Sequence, residues 1–372
     1  MSKSVRARKD RRDARYWDDQ RRNTQSLGCS RCPELPLCGG LYTSSGAFDC
    51  LSYCCGTPGT CTTVCPRNVS FVTRVREVSG FDLYQISPAS TLQFPRLPSS
   101  VPLIYAKGKR TKRFAPEVAA VSLYQLVDRK EARCKFRSRE DLCAYFGLDP
   151  SAAIIASGTA KDPVLERWWG LETSKRMAIL RQLSQLGIAG ITAPNFSVFS
   201  DVPRWDNFHD MKRIAICWRE VLDAGIPGAL HVNARARRDW ERWAEFIKSH
   251  SEINAVAYEF ATGALVRFSY HVDELCHLAD RVGRPLKLVV RGAFTGLARL
   301  RKSYAIVTMV DSTTYMRTAN RKFAVLRESG AIAWRDAPDR PEVDMDALME
   351  HNHLTMLFAT AEQKSLTMNS LG

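Results

Sequence analysis

The sequence predicts an α/β fold, a (β/α)8 TIM-like barrel preceded by a small N-terminal cysteine-rich metal-binding module. From about residue 101 onward, short apolar runs alternate with longer amphipathic stretches, which is typical of parallel βαβ units. Eight such runs occupy about 220 residues, the number and length expected of an eight-stranded barrel. A doubly wound open sheet is the alternative, but no Gly-x-Gly-x-x-Gly follows the first run.

The apolar runs predict the barrel strands, and the stretches between them predict the helices. In chain order the predicted strands are Leu103–Ala106, Val118–Leu123, Ala153–Ser157, Gly190–Ala193, Ala229–Val232, Ala255–Phe260, Leu286–Val290 and Ile306–Val310. The clearer helices are Ser138–Phe146, Thr173–Leu186, Asp206–Ala224, Arg237–Ser249 and Val272–Val282. Gly147, Gly187, Gly225 and Gly283 stand where helices end, and Asp206 is expected to be an N-cap.

The remainder of the chain is expected to form separate segments around the barrel. They are a basic flexible arm (1–25), the cysteine-rich module (26–86), a linker (87–100), the barrel (101–330) and a helical tail (331–372). A short strand is predicted at Val69–Val75, and a helix within Pro338–Met356 is expected to cap the barrel. The linker is inferred from Pro88, Pro95 and Pro98 among serines.

The charge of the chain favours a polyanionic partner. Lys and Arg number 54 against 39 Asp and Glu, a net charge of +15 with a pI near 9.4. Basic clusters at residues 1–22, Lys107–Arg113, Arg235–Arg238 and Arg299–Lys302 predict nucleic-acid binding. Nearby tryptophans (Trp205, Trp218, Trp240 and Trp243) either stack on bases or simply pack in the core, and solubility alone is the other explanation of the charge.

Eight of the twelve cysteines fall between Cys29 and Cys65, a density that indicates a metal centre or disulfides. The N-terminus has no export signal, and no stretch approaches the roughly 18 apolar residues of a membrane helix. We therefore expect a cytoplasmic protein with no membrane association. In a reducing compartment the thiolates persist and favour metal over disulfides.

The cysteine spacing favours an iron–sulfur cluster over zinc. Cys54 and Cys55 are adjacent, which suits a single tetrahedral ion poorly, and Cys65-Pro66 resembles the end of ferredoxin-type ligand runs. The predicted cofactor is a 4Fe–4S cluster, with zinc as the alternative. The candidate ligands are Cys29, Cys32, Cys38, Cys50, Cys54, Cys55, Cys61 and Cys65.

Polar residues follow most of the predicted strands, where the active sites of barrels lie. The candidate catalytic residues are Asp311, Asp201, Glu259 and His231, and the candidate substrate-binding residues are Asn195, Ser197, Asn233, Arg235 and Arg291. Such a set of acids, guanidinium groups, amides and an imidazole suits an anionic sugar or nucleotide. These residues also have structural alternatives. Asp311 is alternatively a helix cap, His231 a core residue, and Arg291 a counter-charge to a neighbouring acid.

Two segments carry a resemblance to known barrels. Ile191-Thr-Ala-Pro-Asn-Phe-Ser197 with Asp201-Val-Pro203 resembles an uncharacterised barrel family of bacteria and mobile elements. Gly283–Leu288 and Val310–Tyr315 are similar to the last strands of tRNA-guanine transglycosylase-like barrels, including the DNA-deazaguanine branch. The resemblance covers about residues 100–325 and implies base exchange at a nucleotide C1′. It implies Asp311 as nucleophile, with Asp201 or Glu259 as acid/base partner.

The chain departs from the transglycosylase pattern because the zinc signature Cys-x-Cys-x2-Cys is missing after residue 300. The leading hypothesis is a metal-containing enzyme, of transferase type, that modifies or exchanges a base in nucleic acid. The alternatives are a non-catalytic nucleic-acid-binding or redox-sensing regulatory protein of a plasmid, phage or defence locus, and an electron-transfer enzyme.

Overall fold

Eight parallel strands close into a barrel. The computed structural model describes residues 24–32, 35, 42–43, 49, 51, 69–128, 130–199, 204–261, 267–292, 294–337 and 344–362. The strands are β1 Ser100–Ile104, β2 Val118–Ser122, β3 Ala153–Ser157, β4 Ile188–Thr192, β5 Gly228–His231, β6 Ala255–Glu259, β7 Lys287–Arg291 and β8 Ile306–Asp311. Each pairs in parallel with the next, and β8 pairs with β1. The predicted barrel and its strands are confirmed.

Helices surround the barrel on the outside. In the described chain they are α1 Val69–Glu77, α2 Arg139–Phe146, α3 Asp162–Trp169, α4 Thr173–Gln185, α5 Arg204–Asp223, α6 Arg237–Ser249, α7 Phe268–Val282, α8 Leu297–Ser303, α9 Thr313–Ala319 and α10 Met345–Glu362. The five predicted helices are present as α2 and α4 to α7. Gly147 and Gly283 end α2 and α7 in the left-handed region, at φ 61° and 71°, which only glycine adopts without strain.

Alternation along the strands builds two apolar layers. Val101, Leu103 and Ala120 point into the barrel, and their neighbours Ile104 and Val121 point outward to the helices. This is the period of two expected of a strand buried on both faces.

Residues 87–100, which the sequence predicts to be a linker, pack against the barrel. Phe94 and Leu97 are buried with the inward-facing strand residues. The Phe94 N–H donates to Asn254 Oδ1 at 2.8 Å, and the Phe94 ring lies against Gly190. Because Asn254 directly precedes β6, this segment closes the N-terminal end of the barrel. Its prolines interrupt the hydrophobic periodicity that normally indicates a packed segment.

The predicted strand at Val69–Val75 is wrong, because these residues belong to helix α1. The β-branched residues suggested a strand, but the segment is helical, and Val75 in α1 and Val78 directly after it are both buried in the core. Arg74 pairs with Asp206, and His209 Nε2 lies 2.9 Å from Glu77 Oε2. Asp206 is therefore an ion-pair partner inside the first turn of α5 and not its N-cap. The order of these contacts shows that α1 and α5 run in the same direction.

The C-terminal part is a hairpin followed by a helix. Strands β9 Lys322–Leu326 and β10 Ile332–Asp336 pair antiparallel, which the sequence did not predict, and α10 begins later and ends later than expected. α10 packs on β1, where the connection from 105 to 117 has no helix of its own. Asn352 ties α10 to the hairpin by accepting from Ala324 N–H at 2.7 Å. None of the helices described is long and apolar enough to cross a lipid bilayer.

Candidate functional site

The carboxyl ends of the parallel strands meet at one end of the barrel, called the mouth here. The last residues of β5, β6, β7 and β8 are His231, Glu259, Arg291 and Asp311. Four of the predicted site residues therefore end adjacent strands, and the closed barrel brings them together.

Glu259 and Arg291 form the central contact of the mouth. They are register partners on β6 and β7, and Arg291 Nε lies 2.8 Å from Glu259 Oε2. The side chain of Glu259 is only 2% exposed, whereas that of Arg291 is 24% exposed. Neither Arg291 Nε nor Glu259 Oε2 has a well-aligned hydrogen bond within the described residues. The pair is a close ion contact between a buried carboxylate and a partly exposed guanidinium group.

Burial controls the acidity of Glu259. Loss of solvent raises the pKa of this carboxyl, while Arg291, the Ala261 N–H and the Thr159 hydroxyl act in the opposite direction. The Ala261 N–H donates to Glu259 Oε1 at 2.7 Å. Glu259 is thus a carboxyl that exchanges its proton closer to neutral pH than an exposed glutamate, as a general acid or base requires.

His231 is buried beside this pair and is uncharged at neutral pH. Burial, with a further contribution from the positive charge of Arg291, lowers the pKa of His231 to about 3. Its Nε2 lies 3.4 Å from Thr159 Oγ1, and its Nδ1 has no hydrogen-bond partner among the residues described. A neutral imidazole with an unfilled nitrogen is unusual for a purely structural core residue.

Asp311 is fully engaged with the start of α9. Its Oδ1 accepts from the Thr313 N–H at 2.7 Å, and its Oδ2 accepts from the Thr314 N–H at 3.1 Å and from the Thr314 hydroxyl. Burial raises the pKa of Asp311, and these hydrogen bonds oppose that rise. The contacts are those of a helix cap, so the structural alternative is seen directly, while a catalytic role stays a prediction.

Tyr105 is a mouth residue that the sequence reasoning missed. It follows β1, is half-buried, and its ring centroid lies 5.4 Å from that of Tyr315. Burial raises the pKa of Tyr105, and Arg291, Glu259 and Asp311 all act on it electrostatically. The first predicted strand extended to Ala106, which hid the strand end. The signal available was a tyrosine at the carboxyl end of a buried run.

The predicted binding residues after β4 and β5 form a second polar group. Asn233 Nδ2 donates to Asn195 Oδ1 at 3.1 Å and to Phe196 O at 2.7 Å. Arg235 Nε donates to Val198 O at 2.9 Å, and Ser197 Oγ donates to Asp162 Oδ1 at 2.6 Å. Asn233 and Arg235 hold the loop after β5 to the loop after β4, and Ser197 holds the loop after β4 to the start of α3. Asp201 lies outside the described residues.

Gly158 joins the two groups. Its N–H donates to Thr192 Oγ1 at 3.0 Å, and its carbonyl accepts from the Tyr124 hydroxyl at 2.8 Å and from the Asn195 N–H at 3.2 Å. A Cβ on Gly158 would lie 2.3 Å from Thr192 O. Only glycine permits this approach, and it fixes the position of Thr159.

Only two of the predicted metal ligands lie in the described residues. Cys29 begins a single 3-10 turn, Cys29–Arg31, and the Cys32 N–H donates to Cys29 O at 3.1 Å. Cys38, Cys50, Cys54, Cys55, Cys61 and Cys65 lie outside. Over the part of the chain that is described, no group of three or more His, Cys, Asp or Glu side chains could hold a metal ion. The metal cluster stays a prediction.

The basic clusters are placed differently from one another. Lys107, Lys109, Lys112 and Arg113 are exposed on the connection that leaves the mouth after β1. Arg110 lies in the same connection but is buried, and it donates to four carbonyl groups, including Phe146 O at 2.6 Å. Trp205, Trp218, Trp240 and Trp243 are all buried, so the core-packing interpretation of the tryptophans is confirmed.

Comparisons with known proteins add little to this geometry. No protein-family model matches the chain, and no curated protein matches it. Among solved structures, the crystal structure of a "putative lyase/mutase" from Burkholderia cenocepacia J2315 is similar over 74% of this chain and 96% of its own. The two share 16% identity at a TM-score of 0.34, a likeness too small to support any argument about activity.

Proposed function

We propose that this chain is an enzyme that acts at the mouth on an anionic sugar or nucleotide, with Glu259 moving a proton. The observation that carries the proposal is the contact between the buried carboxylate of Glu259 and the partly exposed guanidinium group of Arg291, which are 2.8 Å apart without a well-aligned hydrogen bond between them. Purely structural buried ion pairs need filled hydrogen bonds to offset the cost of desolvation. Perturbed, incompletely paired acids at barrel mouths are typical of catalytic sites.

Arg291 supplies the anion-binding group in this proposal. Within the described residues, its only charged contact is with Glu259, made through Nε. The two terminal nitrogens remain for a phosphate or carboxylate, which a guanidinium group binds through two parallel hydrogen bonds. A bound anion beside Glu259 raises the pKa of that carboxyl further, because like charges disfavour ionisation. Substrate binding would then load Glu259 with the proton that it donates.

The finer proposal is base modification or base exchange in nucleic acid. In base exchange the incoming base would form a bond to C1′ as the bond from C1′ to the departing base breaks. A protonated Glu259 would donate its proton to the departing base, and its carboxylate would take the proton that the incoming base loses. Asp311 was the predicted nucleophile, but its hydrogen bonds to Thr313 and Thr314 favour a role in holding the start of α9.

A nucleic-acid partner is supported by the exposed lysines on the connection after β1, which starts at the mouth. Phosphate contacts by such residues release counterions, so binding weakens steeply with salt. If oligonucleotide binding is equally tight at low and moderate salt, the nucleic-acid proposal is wrong. The predicted iron–sulfur cluster, or zinc in its place, is proposed to be held by the cysteines between Cys29 and Cys65. Its test is the visible spectrum of anaerobically purified protein with iron, sulfide and zinc analysis.

The test of the enzyme proposal combines binding and turnover. Nucleoside monophosphates, sugar phosphates and oligonucleotides are titrated by calorimetry, and treated oligonucleotides are digested to nucleosides and analysed by mass spectrometry. Arg291→Gln should abolish anion binding. Arg299→Gln is the control, because Arg299 pairs with Asp273 in the helical layer.

For the chemical step, Glu259→Gln should lower turnover by about 100-fold or more, as loss of a general acid does. Asp311→Asn tests the alternative nucleophile: equal loss in both variants would restore Asp311 to a catalytic role. Oligonucleotide binding without turnover in the wild-type protein would favour the non-catalytic binding protein. No binding of any anion would overturn the proposal.

A further inference from the structure

A cleft of about 390 Å³ lies between α10 and the connection from β1 to β2. It reaches Pro98, which precedes β1, and Val118, which begins β2, so it extends to the amino ends of these strands, opposite to the mouth. Its lining contains neither Glu259 nor Arg291. Its volume is within the range of small-molecule sites, and we call it the α10 cleft.

The two walls of the α10 cleft are tied to the rest of the fold. Asp346, in the first turn of α10, accepts from the backbone N–H groups of Thr111 and Lys112, each at 3.0 Å, and so holds the connection to the helix. The N–H of Phe114 donates to Gly147 O at 2.9 Å, which fixes the connection from the other side. The cleft is therefore formed before any ligand enters it.

His353 on α10 lines the cleft and is only 8% exposed. Within the described residues its imidazole takes part in no hydrogen bond, and its ring meets that of Phe114 at 90°, with centroids 5.4 Å apart. Burial lowers the pKa of His353 to about 4, so the ring is neutral at neutral pH. Buried polar groups without a partner are uncommon. A neutral imidazole offers one donor and one acceptor to a molecule in the cleft.

The surroundings of His353 limit what that molecule can be. Half-buried apolar side chains lie beside it, namely Pro98, Phe114 and Leu357. Four exposed charged side chains stand at the rim, namely Lys112, Arg113, Glu117 and Glu350. None of these four has an ion pair or a side-chain hydrogen bond with another described residue. The rim therefore presents charges of both signs above an apolar floor that holds one hydrogen-bonding group.

We propose that the α10 cleft binds a free amino acid whose aromatic side chain carries a hydrogen-bonding group, as tyrosine does. The ring would lie on the apolar floor with its polar atom on His353, and the ammonium and carboxylate groups would meet the opposite charges of the rim. A purely apolar ligand would leave the imidazole without a partner, which is costly. A simple anion or cation would meet a like charge at the rim. This site goes beyond the proposed function and does not depend on it.

The first test is calorimetry of the full chain with tyrosine, phenylalanine, tyrosine amide and N-acetyltyrosine. Tyrosine should bind, and each of the other three lacks one of the matched groups and should bind about tenfold more weakly or worse. Tryptophan and histidine are titrated as the other aromatic amino acids with a hydrogen-bonding ring. Failure of all three to bind, or phenylalanine binding as tightly as they do, overturns the proposal.

Two variants assign the binding to His353. His353→Phe keeps an aromatic ring but removes both nitrogens, so it should lower the affinity for tyrosine to that for phenylalanine and leave phenylalanine unaffected. His351→Gln is the matched control, because His351 is on the same helix but donates to Ala324 O at 2.8 Å, outside the cleft. Equal effects of the two substitutions contradict the proposal.

Exposed rim residues supply a test that does not depend on the stability of the core. Arg113→Gln should weaken binding of tyrosine but not of tyrosine amide, which has no carboxylate. Glu350→Gln should weaken binding of tyrosine but not of N-acetyltyrosine, which has no ammonium group. If neither substitution changes the affinity for tyrosine, the rim does not bind the charged groups and the proposal is wrong.

One further variant separates the α10 cleft from the mouth. Arg291→Gln should leave tyrosine binding unchanged, because Arg291 lies at the other end of the barrel. If Arg291→Gln abolishes it, tyrosine binds at the mouth and the site in the α10 cleft is disproved. If tyrosine binds through His353 but no substrate is converted, the cleft stands and the enzyme proposal falls.

Discussion

Among the described residues, two arginine–glutamate pairs have a buried carboxylate, and they are built differently. In the helical layer, Arg176 on α4 and Glu220 on α5 are 4% and 8% exposed. Arg176 donates to both oxygens of Glu220 and also to Trp169 O, Leu171 O and Thr173 Oγ1. At the mouth, Arg291 and Glu259 share one contact at 2.8 Å without a well-aligned hydrogen bond.

The difference shows which feature marks a site. Burying a charge is costly in either place, but the pair in the helical layer offsets that cost with filled hydrogen bonds. The pair at the mouth leaves donors and acceptors unfilled, and Arg291 is still in contact with solvent. A perturbed acid is therefore informative only together with the state of its hydrogen bonds.

The largest effect is expected from breaking the structural pair. Glu220→Gln removes the charge that balances Arg176 and should lower the free energy of unfolding by about 3–5 kcal/mol, because a buried cation is left without a counter-charge. Urea denaturation measures the change. Glu245→Gln is the control, since Glu245 is 45% exposed beside Arg238 and its loss should cost under about 1 kcal/mol.

The next effect is a loss of stability at low pH that arises from His231 at the mouth. His231 has a folded pKa of about 3, below its unfolded value, so the unfolded chain takes up a proton first as the pH falls. Stability should therefore fall from about pH 6.5 toward pH 3, by at most about 1.4 kcal/mol for each pH unit. His231→Gln should reduce this slope in denaturation measured at several pH values. An unchanged slope would show that His231 is hydrated in solution.

A third effect tests the close packing of Gly158 against the end of β4 at the mouth. Gly158→Ala places a Cβ 2.3 Å from Thr192 O, a backbone atom that cannot rotate away. We expect a loss of about 1–3 kcal/mol in the free energy of unfolding from overpacking, measured by urea denaturation. Gly170→Ala, at φ −65° after α3, should change stability little. Equal effects of the two substitutions would contradict the close packing at Gly158.

Periodicity was enough to predict the barrel, because eight buried strands and their helices each leave a local pattern. Periodicity did not predict the segments whose structure depends on tertiary contacts. Val69–Glu77 is a helix whose charged residues contact α5, and Phe94 closes the barrel from a proline-rich segment. Strand ends pointed to Glu259 and Arg291. The strand-end position could not show that Asp311 is saturated with hydrogen bonds or that Tyr105 joins the group.

The smallest stability effect is expected from Glu259→Gln. This variant tests whether the Glu259–Arg291 pair stabilises the fold as the Arg176–Glu220 pair does. The folded protein raises the pKa of Glu259, so the folded chain holds this proton more tightly than the unfolded one. Stability from this group is present below the unfolded pKa of about 4.3 and is lost as the pH rises through the folded pKa. Glutamine removes that loss, and Arg291 is exposed enough to be hydrated. At pH 7 the free energy of unfolding should therefore change by less than about 1 kcal/mol or should increase. If Glu259→Gln is as destabilising as Glu220→Gln, the pair at the mouth is structural and the proposed site loses its main support.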